Sequence, residues 1–490
     1  MNEPSVLDLL FSTSDLAALA PEIWLAAAGT FLLLFEAFLP RLRNSVPFLA
    51  LGAVGVAAWL VAQPATANAA FGGLVRGDLL TVGWSELLLF ATALALLSSH
   101  GFLRRERIPS GEYEALFLWC AAGLLLLVRS SELLTLFLAL ELLSLCLYAL
   151  AAFNRNVPWS TEAALKYFLM GAFVSAFVLY GIALVYGQTE TTTFAGIAGR
   201  IATGVDSPAL LIFGFLLLIA GFAFKMSMVP FHAWAPDVYQ GAPSPFVAFL
   251  SVAPKAASAF VLASFLVLLD GSVVADRWPS LVALLAVASM AVGNLFALVQ
   301  RDIKRMLAYS GIAHMGYAVI PLAALGDGTE HWRPLFVYLV AYVLMNAGAF
   351  AIVSVLYRRV GEQHSIADLG GWGYRFPLLG ICLTICLLSL AGIPPTAGFF
   401  GKYLVFLHAI GHGQLWLALV GIAAALVGVA YYLRVIYVLY MKPEQAEPEV
   451  TPRWSGNLAA IVAAAGSLAL GIWPEHLLAW IDTAVASLAR

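Results

Sequence analysis

Five basic side chains lie inside long apolar stretches: Lys166, Lys225, Lys255, Lys402 and Arg434. One carboxylate does the same: Glu141, in "LLTLFLALELLSLCLYAL", has eight uncharged residues before it and thirteen after it. In hydrocarbon, such groups are suited to taking up and releasing a proton or to holding a counter-charge. Each basic residue costs about 2.5–3.5 kcal/mol at mid-helix on the insertion scale, so each requires an account. A carboxylate at Glu141 must be protonated, paired or beside water. Snorkelling, in which a long side chain reaches back to the interface, serves for Lys166 and Arg434, each about two turns from a helix end. It serves poorly for Lys255, mid-stretch behind the helix-breaking Pro254 in "FVAFLSVAPKAASAFVLASF". It also serves poorly for Lys402, deep in "GIPPTAGFFGKYLVFLHAI", and for Lys225, just before the break at Pro230. For these three, proton or ion handling is the better reading. Glu36, Glu86 and Glu132 lie near the ends of their runs and need no special role.

The elements that position these residues follow from composition. Of 490 residues, 62% are hydrophobic and 11% charged, with a mean hydropathy of +0.92. A soluble domain has about 45–50% apolar and about 25% charged residues. The chain is therefore an all-α polytopic membrane protein. Its net charge of -3 offers no basic patch, which excludes nucleic acid as a partner. Cys120, Cys146, Cys382 and Cys386 all lie in apolar stretches without a C-x-x-C and read as small packing residues. The first twenty residues carry no Lys or Arg, so the charged region of a signal peptide is missing.

Apolar runs near the roughly twenty residues of a spanning helix fall at 21–39, 46–62, 79–100, 114–129, 132–152, 160–187, 208–229, 242–269, 279–299, 304–323, 333–357, 377–410, 414–441 and 456–484. These make about 14 transmembrane helices. If loops after odd-numbered spans share one side, that side collects 14 basic residues, the other 6, and five fall within spans. Basic loops stay cytoplasmic, which places both termini on the outside.

Two spans are broken. Pro230 interrupts the turn below Lys225 and frees the carbonyl of Met226. Pro394 and Pro395, among Gly392, Gly398 and Gly401, interrupt the twelfth span. Irregular backbone survives at membrane depth only where protein buries it or it lines a wet cavity. Interrupted segments at corresponding positions of two halves point to an ion site in an inverted-repeat transporter. The seventh and twelfth spans correspond if spans 4–8 and 9–13 form two five-helix repeats, and an odd helix number inverts the second. The expected organisation is an N-terminal three-helix segment (1-108), two repeats (109-270 and 271-442) and a C-terminal helix (443-490).

The stretches "FKMSMVPFHAWAPDVYQGAPSP", "LELLSLCLYAL", "IKRMLAYSGIAHMGY" and "GIPPTAGFFGKY" resemble the antiporter-like membrane subunits of respiratory complex I, the NADH:quinone oxidoreductase. The resemblance covers essentially the whole chain, and the three extra N-terminal helices fit the bacterial form. It implies a proton-translocating subunit of a bacterial cytoplasmic (inner) membrane complex, seated among other membrane-arm subunits in the lipid bilayer. It implies no cofactor or metal in this chain: NADH, flavin, iron–sulfur clusters and quinone belong to partner subunits. It assigns a proton relay to Glu141, Lys225, Lys255 and Lys402, and a secondary polar axis to Lys166, His232, Lys304 and His314. On this reading Glu141 beside Lys225 holds that lysine charged, and withdrawing its influence lets the lysine release a proton. Protons enter near Lys225, cross through Lys255 and leave from Lys402.

Two other classes share these features: a subunit of a multi-subunit sodium/proton antiporter, and a hydrogenase-type membrane arm. A haem or quinone redox protein is the weakest reading, because no C-x-x-C-H, Rossmann or P-loop motif appears. The charge bias yields a direct test. Reporter fusions after Arg105 and Val360 are expected to read cytoplasmic, and those after Arg200 and Ala275 periplasmic; the reverse pattern overturns the orientation.

Overall fold

The computed structural model describes residues 13–64, 70–106, 108–270, 278–324, 329–356, 364–444 and 454–488. Arg107, Arg277, Arg358, Arg359, Arg453 and Arg490, which entered the charge comparison, lie outside them. Six helices come first: α1 (Ala20–Phe38), α2 (Val46–Val61), α3 (Leu79–Glu106), α4 (Ser110–Arg129), α5 (Leu133–Ala151) and α6 (Pro158–Thr189). A broken span follows, α7a (Pro208–Lys225) and α7b (Trp234–Gly241). Then come α8 (Ser244–Leu269), α9 (Trp278–Val299), α10 (Ile303–Ala323) and α11 (Trp332–Leu356). The second broken span is α12a (Pro377–Ala391) and α12b (Ala397–Gly411), and the chain ends in α13 (Leu415–Met441), α14 (Trp454–Ile472) and α15 (Glu475–Leu488).

Among the described residues thirteen helices are long and apolar enough to cross a membrane. The halves α12a and α12b together make the fourteenth crossing. Proline sits in the first turn of α1, α2, α6, α7a and α12a, where the missing N–H is one the helix would leave free anyway. Helices α8, α10 and α11 are almost wholly enclosed, whereas α1, α6 and α13 turn large apolar side chains outward, among them Phe31, Phe173 and Leu426.

The two five-helix repeats, α4–α8 and α9–α13, carry the same device at the start of their second helix. Glu132 caps α5 by accepting from Thr135 N at 2.6 Å, and Asp302 caps α10 by accepting from Arg305 N at 2.9 Å. Each cap is joined to the loop after the repeat's third helix by two backbone bonds. Leu133 N donates to Thr192 O and Phe194 N to Ser131 O in the first repeat; Ile303 N donates to His364 O and Ile366 N to Arg301 O in the second. Thr193 and Ser365 at those crossings then cap short helices, Phe194–Thr203 and Ile366–Leu369. Five helices separate the two devices, so they sit on opposite faces of the bundle. That is the signature of an inverted repeat.

Two element boundaries differ from the sequence expectation. The run 456–484 is two helices, because Pro474 supplies no N–H to continue α14. Residues 226–241 hold a second half-helix, α7b, which hydropathy does not reveal; it is folded back by the Trp234 indole donating to Phe224 O at 3.1 Å.

The N-terminal helices are fixed to the first repeat by a buried ion pair, Arg129 Nη1 to Glu22 Oε1 at 2.7 Å, joining α4 to α1. Arg76 backs this pair: its guanidinium lies 4.5 Å from the Phe260 ring centroid and donates to Ser264 Oγ at 3.0 Å. Glu22→Gln or Arg129→Met should each leave a buried charge uncompensated, at about 3–5 kcal/mol. Thermal unfolding in mild detergent is expected to show both single variants well below the parent, and Glu22→Leu with Arg129→Met near it.

Candidate functional site: a buried chain of lysines, tyrosines and histidine

The chain of buried polar groups starts at the first helix break. Lys225 is the last residue of α7a and is buried. Its ammonium donates to Ser144 Oγ on α5 at 2.7 Å, and that hydroxyl donates to Leu140 O at 2.5 Å. The faces of Tyr148 and Tyr167 lie 5.5 and 5.7 Å from the same nitrogen. Glu141 stands one turn before Ser144, half-buried beside the outward stripe of Leu138, Leu142 and Leu145. No ion pair joins it to Lys225 among the described residues; Ser144 stands between the two in the helical register, and Glu141 Oε1 has no hydrogen-bond partner.

Between α7a and α7b the backbone loses its helix and its polar groups turn to neighbours. Val229 N donates to Ser289 Oγ of α9 at 3.0 Å, and Met228 N to Ala223 O at 2.8 Å. The helix ends at Lys225, so the break begins before the carbonyl that Pro230 alone would free. His232 lies in this break, half-buried, its Nδ1 without a hydrogen-bond partner.

Aromatic rings continue the chain. Tyr167 stacks on Trp234 at 4.7 Å, Trp234 meets Tyr239 edge-on at 6.2 Å, and the Tyr239 face lies 5.6 Å from the Lys255 ammonium. Lys255 is fully buried, and its Nζ makes no hydrogen bond within the described residues. It rests against Gly311 of α10: a Cβ there would lie 3.2 Å from Lys255 Nζ and 3.0 Å from Tyr342 Oη. One turn on, His314 is centred 5.4 Å from the Tyr342 ring. Its Nδ1 is 2.7 Å from Tyr338 Oη and its Nε2 is 3.1 Å from Tyr432 Oη, which is hydrogen-bonded in turn to Ser310. The Tyr317 ring lies 5.7 Å beyond His314 and faces the Lys402 ammonium at 5.1 Å. Asn294 of α9 anchors this end, donating to Tyr317 Oη and accepting from Tyr431 Oη, each at 3.0 Å.

Lys402 closes the second break. Helix α12a ends in a Schellman turn: Gly392 has φ +82°, and Ile393 N donates to Leu388 O at 3.0 Å. The Lys402 ammonium donates to the last carbonyls of α12a, Leu390 O at 2.9 Å and Ala391 O at 3.1 Å. A cation there is favoured by the negative end of the helix dipole. Gly392 is required twice, because a Cβ would also lie 2.9 Å from Lys402 Cδ. An apolar groove of about 490 Å³ between α12b and α13 opens beside Lys402.

The remaining expected residues gather elsewhere. Lys166 is exposed and pairs with Glu162 at 2.9 Å and Asp237 at 3.0 Å, and Asp237 also holds Arg305 at 2.7 Å. Lys304 is fully buried and donates to Ala242 O at 2.7 Å, tying α10 to the end of α7b. Arg434 caps α9 through Leu298 O and Gln300 O, both at 2.7 Å. Sequence reasoning missed Ser144, Asn294, Tyr317, Tyr338 and Tyr432. Only the i, i+3 spacings of Glu141 to Ser144 and His314 to Tyr317 hinted that they share a face.

Residues 130–428 match the family described as NADH:quinone oxidoreductase/Mrp antiporter, transmembrane. The NADH-quinone oxidoreductase subunit N of Trichlorobacter lovleyi is 41% identical over 97% of this chain and 98% of its own. The chain belongs to the subunit N family. A chain of respiratory complex I from Thermus thermophilus with bound aureothin matches with a TM-score of 0.79 and 33% identity, covering 94% of this chain and 98% of that one. The archaeal membrane-bound sulfane sulfur reductase shares the fold: TM-score 0.83 at 24% identity over 96% of this chain and 98% of that one. Membership agrees with a multi-pass membrane protein.

The contact at Gly311 makes the middle of the chain testable. Gly311→Val should push Tyr342 and Lys255 apart and lower proton translocation by the assembled complex, while Gly311→Ala has a milder effect. Vesicle acidification with assembly followed on native gels measures both; parent-like rates for Gly311→Val would remove Lys255 from the path.

Proposed function

We propose that this chain is the subunit N of a bacterial NADH:quinone oxidoreductase and moves protons across the inner membrane through Lys225, Lys255, His314 and Lys402. NADH oxidation, with its flavin and iron–sulfur clusters, and quinone reduction take place in partner subunits. The observation that supports this reading is the series of buried lysines from one helix break to the other, joined through aromatic rings and one imidazole, inside a bundle otherwise largely filled with hydrocarbon. Apolar packing has no use for three buried lysines, each costing kilocalories where it stands.

The groups divide the work. Ser144, whose hydroxyl accepts from Lys225 and donates to Leu140, links that lysine to the helix carrying Glu141. A negative Glu141 favours the charged lysine, and neutralising it favours release. Lys255, without a hydrogen-bond acceptor among the described residues, is free to act as a transient carrier. At Lys402 the α12a carbonyls receive the proton, and the helix dipole steadies it. Lys166, His232 and Lys304 form the approach on the side of α7b. The charge bias sets the orientation, with Lys225 loaded from the cytoplasm and both termini outside. The N-terminal segment 1-108 and the C-terminal segment 443-490 flank the repeats 109-270 and 271-442.

Lys402→Met is the deciding variant. It is expected to assemble and to cut NADH-driven acidification of vesicles by about a hundredfold, the scale of a lost proton-transfer group. Lys402→Arg should be similarly poor, because a guanidinium does not release its proton. In the same assay Glu141→Gln, Lys225→Met and their double variant should lose about equally, since they act in one step. Parent-like pumping by Lys402→Met sinks the relay. Sodium-dependent transport without a copurifying redox partner would assign the chain to the cation antiporters instead.

A further inference from the structure

Beyond Lys402 the helix α12b continues toward the exterior face and carries two histidines that the relay leaves unused. We propose that His408 and His412, with Glu330 from the α10–α11 connection, form the port through which protons leave this subunit. The proposal rests on Lys402 as the last buried carrier.

The three groups lie in order of increasing exposure. Lys402 is 6% exposed, whereas the side chains of His412 and Glu330 are 24% and 64% exposed. At about 1.5 Å per residue, His408 lies about 9 Å and His412 about 15 Å along the helix from Lys402. The first interval is an axial rise along one helix, and six residues also carry His408 about a third of a turn around it from Lys402, so water would have to link the two. The two imidazole rings are centred only 4.1 Å apart.

The hydrogen bonds fix where protons can sit. His408 Nε2 faces Ala324 O at 2.8 Å; a carbonyl only accepts, so that nitrogen carries hydrogen and Nδ1 is left to take up an arriving proton. His412 Nδ1 faces His408 O at 2.9 Å and must likewise donate. Its Nε2 faces Glu330 Oε2 at 2.9 Å. That second contact contains one proton, either on Nε2 opposite a carboxylate or on the carboxyl opposite a neutral ring. Transfer moves it between the two oxygen- and nitrogen-bound positions without any other bond changing, and Glu330 then gives it to bulk water. Two charged imidazoles at this separation repel, so a proton arriving on His408 drives the one on His412 outward. The other charged groups nearby do not compete: Arg333, at the start of α11, is engaged by Asp482 of α15 at 3.1 Å.

A plain helix cap would use the same His412–His408 contact, so the test must separate capping from proton release. The complex is reconstituted in proteoliposomes with His408→Gln plus His412→Gln, and separately with Glu330→Gln and Lys402→Met. The port predicts that the double variant assembles and that its NADH-driven pumping falls about tenfold, a modest general acid–base effect. Adding imidazole on the exterior side should restore at least half of that loss, and Glu330→Gln should show a smaller loss. Parent-like pumping in the double variant, or a loss that imidazole leaves unchanged, overturns the port. Lys402→Met should not respond to imidazole. If it pumps normally, the relay itself fails; if it is inactive while the histidine variants pump normally, only the port fails.

Discussion

A backbone carbonyl with no donor is costly in hydrocarbon, and most of this molecule is arranged around that fact. Helices satisfy their own carbonyls except at their ends, so every interruption at membrane depth creates acceptors that something must meet. At the end of α12a the ammonium of Lys402 meets two of them. At the first break the Trp234 indole takes the carbonyl of Phe224, and the Ser289 hydroxyl takes the amide of Val229. The same interruptions that would destabilise an ordinary span thus create the polar surroundings in which a buried lysine is tolerated.

The two repeats use this constraint unequally. Counting from their equivalent caps, Ser144 and His314 each stand twelve residues after the acidic cap, at Glu132 and Asp302 respectively. Both face the buried chain. Glu141 corresponds in the same way to Gly311, nine residues after each cap. The first repeat therefore puts a carboxylate where the second leaves space, and Lys255 of the first repeat fills that space across the repeat boundary. One backbone plan places a carboxylate one turn before the serine that binds Lys225 at one end, and a glycine beside Lys255 and Tyr342 in the middle.

The helices around this chain serve enclosure. Enclosed α8, α10 and α11 carry Lys255, His314, Tyr317, Tyr338 and Tyr342, while α1, α6 and α13 turn apolar side chains outward. The Glu22–Arg129 pair holds the N-terminal helices against the first repeat without touching the chain of lysines. Asp237 holds Lys166 and Arg305 together, linking the two repeats at the side of α7b.

The sequence by itself determined the class, the approximate number of crossings, both breaks and the lysines placed in apolar stretches, because each is a local property. A long apolar run, a proline within it and a charge in its middle have consequences that no distant residue can cancel. The five-span interval between the breaks also suggested two five-helix repeats, with an odd helix count inverting the second. What the chain does with those lysines was decided by tertiary structure. Lys225 meets Ser144, although sequence singled out only Glu141 as its partner, because a side chain's partner depends on which face two packed helices present. Tyr317, Tyr338, Tyr432 and Asn294 lie on four different helices, and nothing in their own neighbourhoods marks them as one set. Lys166 faces exposed carboxylates while Lys304, only two residues past a charged cap, is fully buried. Hydropathy cannot separate those two cases, because burial of a polar side chain is set by what packs over it.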